Sequence, residues 1–261
     1  MKMLYSKLKQ LWRILATALG FILFGLGGLL ILSTLWFNLL RIFVRNKNRR
    51  NIIAQYSISV SFSFFLWILR SLRAIDYRFT GLDKLKQDRS CLIIANHPSL
   101  LDVVLLASVM PRCDCIVKES LLKNVFVRDI IKAAGYVVNS EASKMLPYCN
   151  ETLASGGRIL IFPEGTRSVP NEALSLQRGA ANIALRCQVD IRIIHIECYP
   201  PILRKNQKWY DMPVTKPTFN ITIGEKLAIK NFSDNNITIS ARKLTQYLTL
   251  KLSEHENNNI V

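Results

Sequence analysis

The sequence predicts an α/β protein in which a mixed sheet is flanked by helices and preceded by a hydrophobic membrane helix or helical hairpin. Two observations carry this prediction. From about residue 90 onwards, short apolar runs alternate with helical stretches, as in sheets covered by helices. Before that point, one long uncharged segment dominates. We expect a membrane-anchoring segment over 1–75, an α/β domain over 76–235, and a C-terminal helix and tail over 236–261.

The uncharged segment runs from Ile14 to Leu40 and is 27 residues long. About 20 apolar residues span a bilayer core, so it is long enough to cross one. Basic residues follow it rather than a cleavage site, and a signal peptide is therefore not expected. A second apolar stretch, Ile52 to Leu69, comes after a basic linker. One spanning helix, a helical hairpin and two helices lying in one leaflet all fit this pattern.

Positive charge is concentrated around these apolar segments. The formal net charge is +17, and residues 1–50 contain nine Lys or Arg and no acidic residue. Basic flanks on both sides favour a hairpin or an interfacial pair whose ends face an anionic cytoplasmic leaflet. We expect a membrane location, the inner or plasma membrane in a bacterium, with the α/β domain facing the cytoplasm. A nucleic-acid partner is not expected, because no recognition helix, RNP-like strand or zinc spacing accompanies the charge.

The segment from Asp76 to Leu85 contains a turn at Gly81 and leads into the α/β domain. The predicted strands are 91–95, 114–117, 136–138, 158–162, 191–197 and 218–223. The predicted helices are 100–109, 119–133, 142–155, 177–187 and 238–253. Between the last two strands, Tyr199 to Pro217 contains four prolines and reads as a loop or lid, and 254–261 as a frayed end.

The six cysteines show no C-x-x-C spacing, and most lie inside apolar runs. Cys in such runs behaves as a small hydrophobic residue, so reduced thiols and no metal site are predicted. Of the three histidines, His195 lies inside a predicted strand and reads as structural, and His255 reads as solvated.

The remaining histidine, His97, follows the predicted strand 91–95 and precedes Asp102 by five residues. Imidazole suits proton transfer near neutral pH, and a nearby carboxylate can fix its tautomer. An alternative is a capping box, in which Ser99 and Asp102 only satisfy backbone groups at a helix start. Five helical residues turn through about 500°, so the two side chains meet only if His97 precedes the helix.

A second motif follows the predicted strand 158–162. Gly165 lets the backbone turn where a side chain would obstruct a ligand. Thr166 and Arg167 then provide a hydroxyl and a guanidinium group, a combination that suits a phosphate. The alternative is a plain loop with one salt bridge.

Together the two motifs resemble the conserved blocks of the glycerolipid acyltransferases, and most closely the 1-acyl-sn-glycerol-3-phosphate acyltransferase (PlsC) type. The resemblance covers about residues 75 to 225 and implies a glycerol-phosphate acyltransferase-like fold. The blocks that carry it are Asn96-His97-Pro98-Ser99-Leu100-Leu101-Asp102 and Phe162-Pro163-Glu164-Gly165-Thr166-Arg167-Ser168.

The resemblance also implies an activity and a set of site residues. Members of the family move an acyl chain from acyl-CoA or acyl-carrier protein to a lysophospholipid hydroxyl, without a metal or other cofactor and without an acyl-enzyme. The implied product is phosphatidic acid, from 1-acyl-sn-glycerol 3-phosphate. The implied catalytic residues are His97 as the base and Asp102 as its orienting partner. The implied substrate-binding residues are Lys118, Glu164, Gly165, Thr166 and Arg167.

The chain departs from the family pattern in two places. Asn139 stands near the position where the family usually has an Arg that helps to hold phosphate. The run from Arg192 to Ile196 stands where a Val-Pro element is usual. The acceptor therefore stays open between 1-acyl-sn-glycerol 3-phosphate and another lysolipid or glycolipid. A non-catalytic adaptor that binds lipid or carrier protein is a further alternative.

Overall fold

Seven strands build one sheet in the computed structural model, which describes residues 2–30, 35–139, 142–169, 172–232 and 236–257. Residues 31–34 of the predicted apolar segment, 233–235 at the predicted domain end and 258–261 of the predicted tail lie outside the described residues, as does the side chain of His255. The strands are β1 (Asp76–Thr80), β2 (Cys91–Ala95), β3 (Asp114–Val117), β4 (Val137–Val138), β5 (Arg158–Ile161), β6 (Asp190–Tyr199) and β7 (Thr218–Leu227).

The sheet is mixed, as predicted, and its order is β1-β7-β6-β2-β5-β3-β4. Strand β2 is parallel to β5 and β6, and β3 is parallel to β5 and β4. Strand β7 is antiparallel to β6, and β1 is parallel to β7. The carboxyl ends of β2 to β6 therefore meet at one side of the sheet, which we call the carboxyl edge. The opposite side is the amino edge.

The central strand β2 is buried at all five positions, because helices cover both faces of the sheet there. Its bounds, and those of β3, are the predicted ones. Strand β1 was not predicted. Its residues are only half-buried and it pairs on one side, so it lacks the continuous apolar run of a central strand. Strands β6 and β7 are longer than predicted, because their antiparallel pairing extends them to Tyr199 and Leu227.

Helices cover the sheet in two layers. Helices α1, α3 and α5 share a core with one face, and α7, α8 and α9 share a core with the other. The predicted helix 119–133 is divided at Asn124 into a 3-10 turn and α6. The helices are α1 (Lys2–Ile22), a π-helix (Leu23–Leu30), α2 (Phe37–Phe43), α3 (Lys47–Ser71), α4 (Leu82–Gln87), α5 (Asp102–Val109), a 3-10 turn (Glu119–Lys123), α6 (Val125–Ala134), α7 (Ala142–Ala154), α8 (Gly179–Cys187), a 3-10 turn (Ile229–Phe232) and α9 (Ile237–Asn257).

The N-terminal helices form a hairpin. Gly20 on α1 lies against Leu69 and Phe65 on α3, and its lack of a side chain permits this approach. The Trp12 indole N–H donates to the backbone carbonyl of Leu72, 2.9 Å away. Contacts therefore run antiparallel along the pair. Met3–Leu26 and Lys47–Ser71 are each long and apolar enough to cross a membrane, judged by length and composition.

One side of this hairpin packs on the α/β domain and the other side is exposed. On the packed side, the Ser59 hydroxyl donates to the Ser108 carbonyl of α5, and Leu66 joins the core that contains β2. The exposed side carries apolar residues at helical spacing, and we call it the apolar face. Its members include Leu4, Leu8, Leu11, Leu15 and Leu19 of α1 and Ile52, Tyr56, Val60, Phe64 and Trp67 of α3. An apolar surface of this extent is typical of protein or membrane contact.

Candidate active site

Asn96 fixes the point at which the chain leaves β2 at the carboxyl edge. Its buried side chain accepts a hydrogen bond from the Ile196 backbone N–H at 2.7 Å and donates to the Ile196 carbonyl at 2.9 Å. The amide thus replaces one step of strand pairing between β2 and β6. The residue that follows, His97, is held in register with the sheet.

His97 and Asp102 form a direct pair. The His97 Nδ1 lies 2.8 Å from the Asp102 Oδ2. Because the carboxylate accepts, the proton of a neutral imidazole is assigned to Nδ1, and the lone pair to Nε2. Some 15% of the His97 side chain is exposed, against none of the Asp102 side chain. The arrangement leaves Nε2 as the ring nitrogen through which a substrate proton can be taken.

Asp102, the first residue of α5, also holds the turn that leads into the helix. Its Oδ2 accepts a hydrogen bond from the Ser99 backbone N–H at 2.7 Å. The Leu101 N–H lies 3.4 Å from the Ser99 hydroxyl. This is the geometry of a helix start, and His97 precedes it, as the five-residue spacing requires. One carboxylate therefore fixes both the turn and the imidazole.

The electrostatic setting of Asp102 is unusual for a carboxylate. Burial raises the pKa of Asp102 above its usual range, and the hydrogen bonds from His97 and from the Ser99 N–H oppose that shift only in part. Its Oδ1 is buried and has no hydrogen-bond partner among the described residues. The charged form of Asp102 therefore depends on the two groups that its Oδ2 contacts, the His97 imidazole and the Ser99 N–H.

The loop after β5 clamps the backbone of His97. The Glu164 Oε1 accepts the His97 backbone N–H at 2.8 Å, and the Ser168 N–H donates to the His97 carbonyl at 2.8 Å. The ring of Phe162 lies 4.3 Å from the imidazole ring, centroid to centroid. The two motifs that the sequence singled out are thus brought into contact. The ring has little freedom to leave Asp102.

Gly165 and Thr166 form the exposed tip of this second loop. Gly165 has φ +68°, and a Cβ there would lie 2.7 Å from the Gln177 amide nitrogen. The left-handed backbone favours glycine, and a side chain there would also have to displace the end of the Gln177 side chain. The tip therefore presents backbone and the Thr166 side chain to solvent beside the His97 pair.

Arg167 is partly used in holding the structure together. Its NH1 donates to the backbone carbonyls of Leu203 and Arg204, at 2.8 and 3.0 Å. The Leu203 carbonyl also accepts from the Leu100 N–H at 3.1 Å. The guanidinium thus ties the loop after β6 to both motifs. A guanidinium has five N–H donors, so Arg167 keeps donors for a further anionic partner.

Lys118 and Asn139 lie further along the same edge. Lys118 is exposed and directly follows β3, whose register with β5 puts it opposite Pro163. Asn139 directly follows β4, and its Oδ1 accepts the Glu119 backbone N–H at 3.2 Å. The side chain at the departure from the family pattern is therefore engaged with the backbone after Lys118.

Sequence reasoning missed three supports of the site. Asn96 carried a signal, a polar residue at the end of an apolar strand. The carbonyls of Leu203 and Arg204 carried none, because backbone groups have no sequence signature. Ser168 was expected only as part of the second motif, and it supports the site through its backbone N–H, which donates to the His97 carbonyl.

Of the six cysteines, Cys198 lies close enough to Asp102 to interact with it electrostatically. All six are free, and burial raises the pKa of Cys113 to about 12 and that of Cys198 to about 12. Thiols of this kind are poor nucleophiles and poor metal ligands at neutral pH. In the described part of the chain, no three His, Cys, Asp or Glu side chains cluster as metal ligands would.

Fold and site together define an α/β domain whose sheet carries an imidazole–carboxylate pair at its carboxyl edge. Residues 76–199 match the family model described as Acyltransferase. Over this domain the chain is therefore similar to that family of acyltransferases.

Curated relatives and a solved structure show related similarities. The chain is 29% identical over 154 residues to the human 1-acyl-sn-glycerol-3-phosphate acyltransferase beta, and this match covers 55% of each chain. It is 33% identical over 108 residues to the 1-acyl-sn-glycerol-3-phosphate acyltransferase of Helicobacter pylori, covering 39% of this chain and 46% of the relative. The chain thus spans about half the length of the curated relatives it matches.

The solved structure is the crystal structure of the 1-acyl-sn-glycerophosphate acyltransferase PlsC from Thermotoga maritima. The likeness has a TM-score of 0.64 and covers 100% of both chains, at 20% sequence identity. At that identity it establishes the fold alone. The predicted α/β fold with its helical N-terminus is confirmed.

Proposed function

We propose that this protein transfers an acyl chain from acyl-CoA or acyl-carrier protein to the hydroxyl of a lysophospholipid, 1-acyl-sn-glycerol 3-phosphate in the first place, to give phosphatidic acid. One observation carries the proposal: the His97 Nδ1 lies 2.8 Å from a fully buried Asp102, which leaves Nε2 facing the carboxyl edge. The similarity of residues 76–199 to the family model described as Acyltransferase supports the reaction class.

In the proposed reaction, the His97 Nε2 takes the proton of the acceptor hydroxyl while its oxygen attacks the thioester carbonyl. The new C–O ester bond forms, the C–S bond breaks, and the leaving thiolate receives the proton from the imidazolium. Asp102 orients the ring and stabilises its positive charge. No acyl-enzyme is formed, and we propose that the reaction uses no metal or other cofactor.

Around this pair, Glu164, Gly165, Thr166, Arg167 and Lys118 are proposed to bind the acceptor. Arg167 would offer its remaining N–H groups to the phosphate, and the exposed tip at Gly165 and Thr166 lets the glycerol moiety approach. Glu164 has a second task, because its carboxylate holds the His97 backbone. Acceptor binding and the position of the base are thereby linked through one loop.

A different acceptor head group is the second candidate. Asn139 is neutral, and its carbonyl oxygen is engaged with the Glu119 N–H. A neutral amide at this position supports an acceptor with less need of a charged contact, such as another lysolipid or a glycolipid.

We further propose that the chain binds its membrane through the apolar face, in one leaflet, with the α/β domain on the cytoplasmic side. A helix of 25 residues such as α3 is about 37 Å long. Its contacts with the domain at Gln55, Ser59 and Leu66 support a position in one leaflet rather than a span across the bilayer. The exposed apolar residues on its other side suit the acyl-chain boundary of a leaflet.

The reaction is tested with the purified full-length protein in vesicles, supplied with acyl-CoA or acyl-carrier protein and a panel of lysolipids, with lipid products read by mass spectrometry. We expect phosphatidic acid from 1-acyl-sn-glycerol 3-phosphate. His97→Ala should lower the rate by about 10²- to 10⁴-fold, the usual contribution of a general base. It should float with the vesicles as wild type does. Transfer at the wild-type rate by this variant would contradict the mechanism.

A further inference from the structure

The elbow between α2 and α3 encloses a small cavity whose walls are basic. Its volume is about 90 Å³, enough for several water molecules and so for a phosphate group. Asn51 adds an amide to the lining, and the apolar residues Phe37, Leu40, Ala54 and Ala133 complete it. We call it the elbow cavity. Its four cationic lining residues are Arg41, Lys47, Arg50 and Lys132.

The positive charge around the elbow cavity is not compensated by the protein. Within the described ranges, no Asp or Glu side chain forms an ion pair with any of the four cations or lines the cavity. Arg50 donates to the Val44 backbone carbonyl at 3.2 Å, and Arg41 lies 3.5 Å from the Asn38 amide oxygen. These neutral partners orient the side chains and leave their charge in place.

The start of α3 adds to this charge. The first turn contains Lys47, Arg49 and Arg50 and no acidic residue, on a helix of 25 residues. Cations are unfavourable at a helix N-terminus, where the helix dipole is itself positive. An anion seated in the elbow cavity would offset both the dipole and the mutual repulsion of the side chains.

The elbow cavity lies beside exposed apolar side chains, which favours a lipid head group over a free ion as its occupant. On the outer side of α2, the side chains of Ile42 and Phe43 are 70% and 79% exposed. They continue the apolar face next to the cationic cluster. We propose that the elbow cavity binds the phosphate of an anionic phospholipid from the leaflet that holds the apolar face.

This lipid is not the acyl acceptor. Lys132 stands near the end of α6, just before the chain enters β4 at the amino edge. One turn along α3 from Asn51, the Gln55 amide donates to the Asp114 carboxylate at 2.6 Å, and Asp114 begins β3. The elbow cavity therefore lies at the edge of the sheet opposite His97. A lipid there would anchor the hairpin without entering the catalytic site.

The test uses the full-length protein in a neutral detergent, with thermal unfolding followed against three soluble probes. They are dihexanoyl phosphatidylglycerol, dihexanoyl phosphatidylcholine and inorganic phosphate. The cavity variant is K47Q/K132Q. The matched control is R45Q/R49Q, which removes two charges from the same elbow without altering the cavity lining.

We expect phosphatidylglycerol to raise the Tm of wild type and of R45Q/R49Q, with half of the effect reached at similar concentrations. K47Q/K132Q should need a concentration at least tenfold higher for half of the effect. Without any probe, K47Q/K132Q should unfold at the wild-type temperature or above, because repulsion is relieved. His97→Ala should respond to phosphatidylglycerol as wild type does, so failure of the proposed reaction would not affect this result.

Three outcomes would overturn the site. Equal stabilisation by phosphatidylcholine would remove the need for an anion. Inorganic phosphate acting at the same concentration as phosphatidylglycerol would point to a free phosphate ion. An equal loss in both double variants would mean that general charge, rather than the cavity, attracts the lipid.

Discussion

Two carboxylates are buried at opposite edges of the same sheet, and their partners differ. At the amino edge, Asp88 receives two hydrogen bonds of 2.7 Å from Arg192, whose third group donates to the Gly224 carbonyl at 3.0 Å. At the carboxyl edge, Asp102 faces His97 with one oxygen, while the other has no hydrogen-bond partner among the described residues.

The comparison separates stability from chemistry. The hydrogen bonds that Arg192 donates to Asp88 raise the pKa of Arg192, so the guanidinium stays charged. The pairing of Asp102 with a group that can gain or lose a proton is what a reaction needs. A buried carboxylate whose two oxygens are both hydrogen-bonded holds the fold together. One with an oxygen left without a hydrogen bond can respond to a substrate.

The largest effect on activity is expected from Asp102→Asn, which changes the carboxylate at the carboxyl edge. We expect acyl transfer to fall by about 10²- to 10³-fold, because the amide no longer stabilises the imidazolium. The free energy of unfolding should change by about 1 kcal/mol or less, since burial already favours a neutral group and the amide oxygen can still accept the Ser99 N–H. Activity is measured in vesicles and unfolding by denaturant titration. A large loss of stability with normal activity would assign Asp102 to the fold.

Asp88→Asn should do the reverse. It leaves the buried Arg192 without its counter-ion, and we expect a loss of about 3–5 kcal/mol in the free energy of unfolding. The rate per folded molecule should be unchanged. Asp83→Asn is the control, because its surface pair with Lys86 is 85% exposed on the Asp side and should contribute less than about 1 kcal/mol. If Asp88→Asn unfolds no more readily than Asp83→Asn, the ion pair does not stabilise the amino edge.

A smaller effect is expected from Arg167→Lys. Lysine keeps the charge and loses the fork that reaches both the Leu203 and Arg204 carbonyls. We expect the KM for the acceptor to rise about tenfold, which corresponds to the loss of one charged hydrogen bond, with kcat less affected. Arg89→Lys, on an exposed residue before β2, should change neither constant. An unchanged KM in Arg167→Lys would remove Arg167 from the acceptor site.

The smallest effect is expected from Asn139→Arg, which introduces the cation that the family usually has. We expect the KM for a phosphate-bearing acceptor to fall about threefold, as for a modest exposed charge contact. Asn139→Ala loses the same hydrogen bond to Glu119 and gains no charge, so it should not improve binding. Equal KM values for the acceptor in Asn139→Arg and Asn139→Ala would show that residue 139 does not contact the acceptor.

Much of the fold follows from local pattern. The run that became β2 is continuous and apolar, and the run that became β3 is apolar after Asp114, so the sequence predicted the bounds of both strands. Strand β1 was not predicted because, as an edge strand, it alternates polar and apolar residues and pairs on one side only. The antiparallel return of β7 against β6 depends on the 18-residue connection after β6, whose path the sequence does not specify.

For the site, side chains were predictable and supports were not. His97, Asp102 and the loop after β5 follow from residue type and spacing. Arg167 was expected to face a phosphate, and part of it instead holds backbone carbonyls. Backbone acceptors such as the Leu203 carbonyl leave no trace in the sequence, because every residue carries one.

The central claim is that His97 acts as a base towards the acceptor and never carries the acyl chain. A single-turnover experiment tests it directly, with labelled acyl-CoA mixed with the vesicle-bound protein in the absence and presence of 1-acyl-sn-glycerol 3-phosphate. We expect thiol release only when the acceptor is present, and no labelled protein by intact-mass measurement. A burst of free thiol without acceptor, together with acylated protein, would contradict direct transfer.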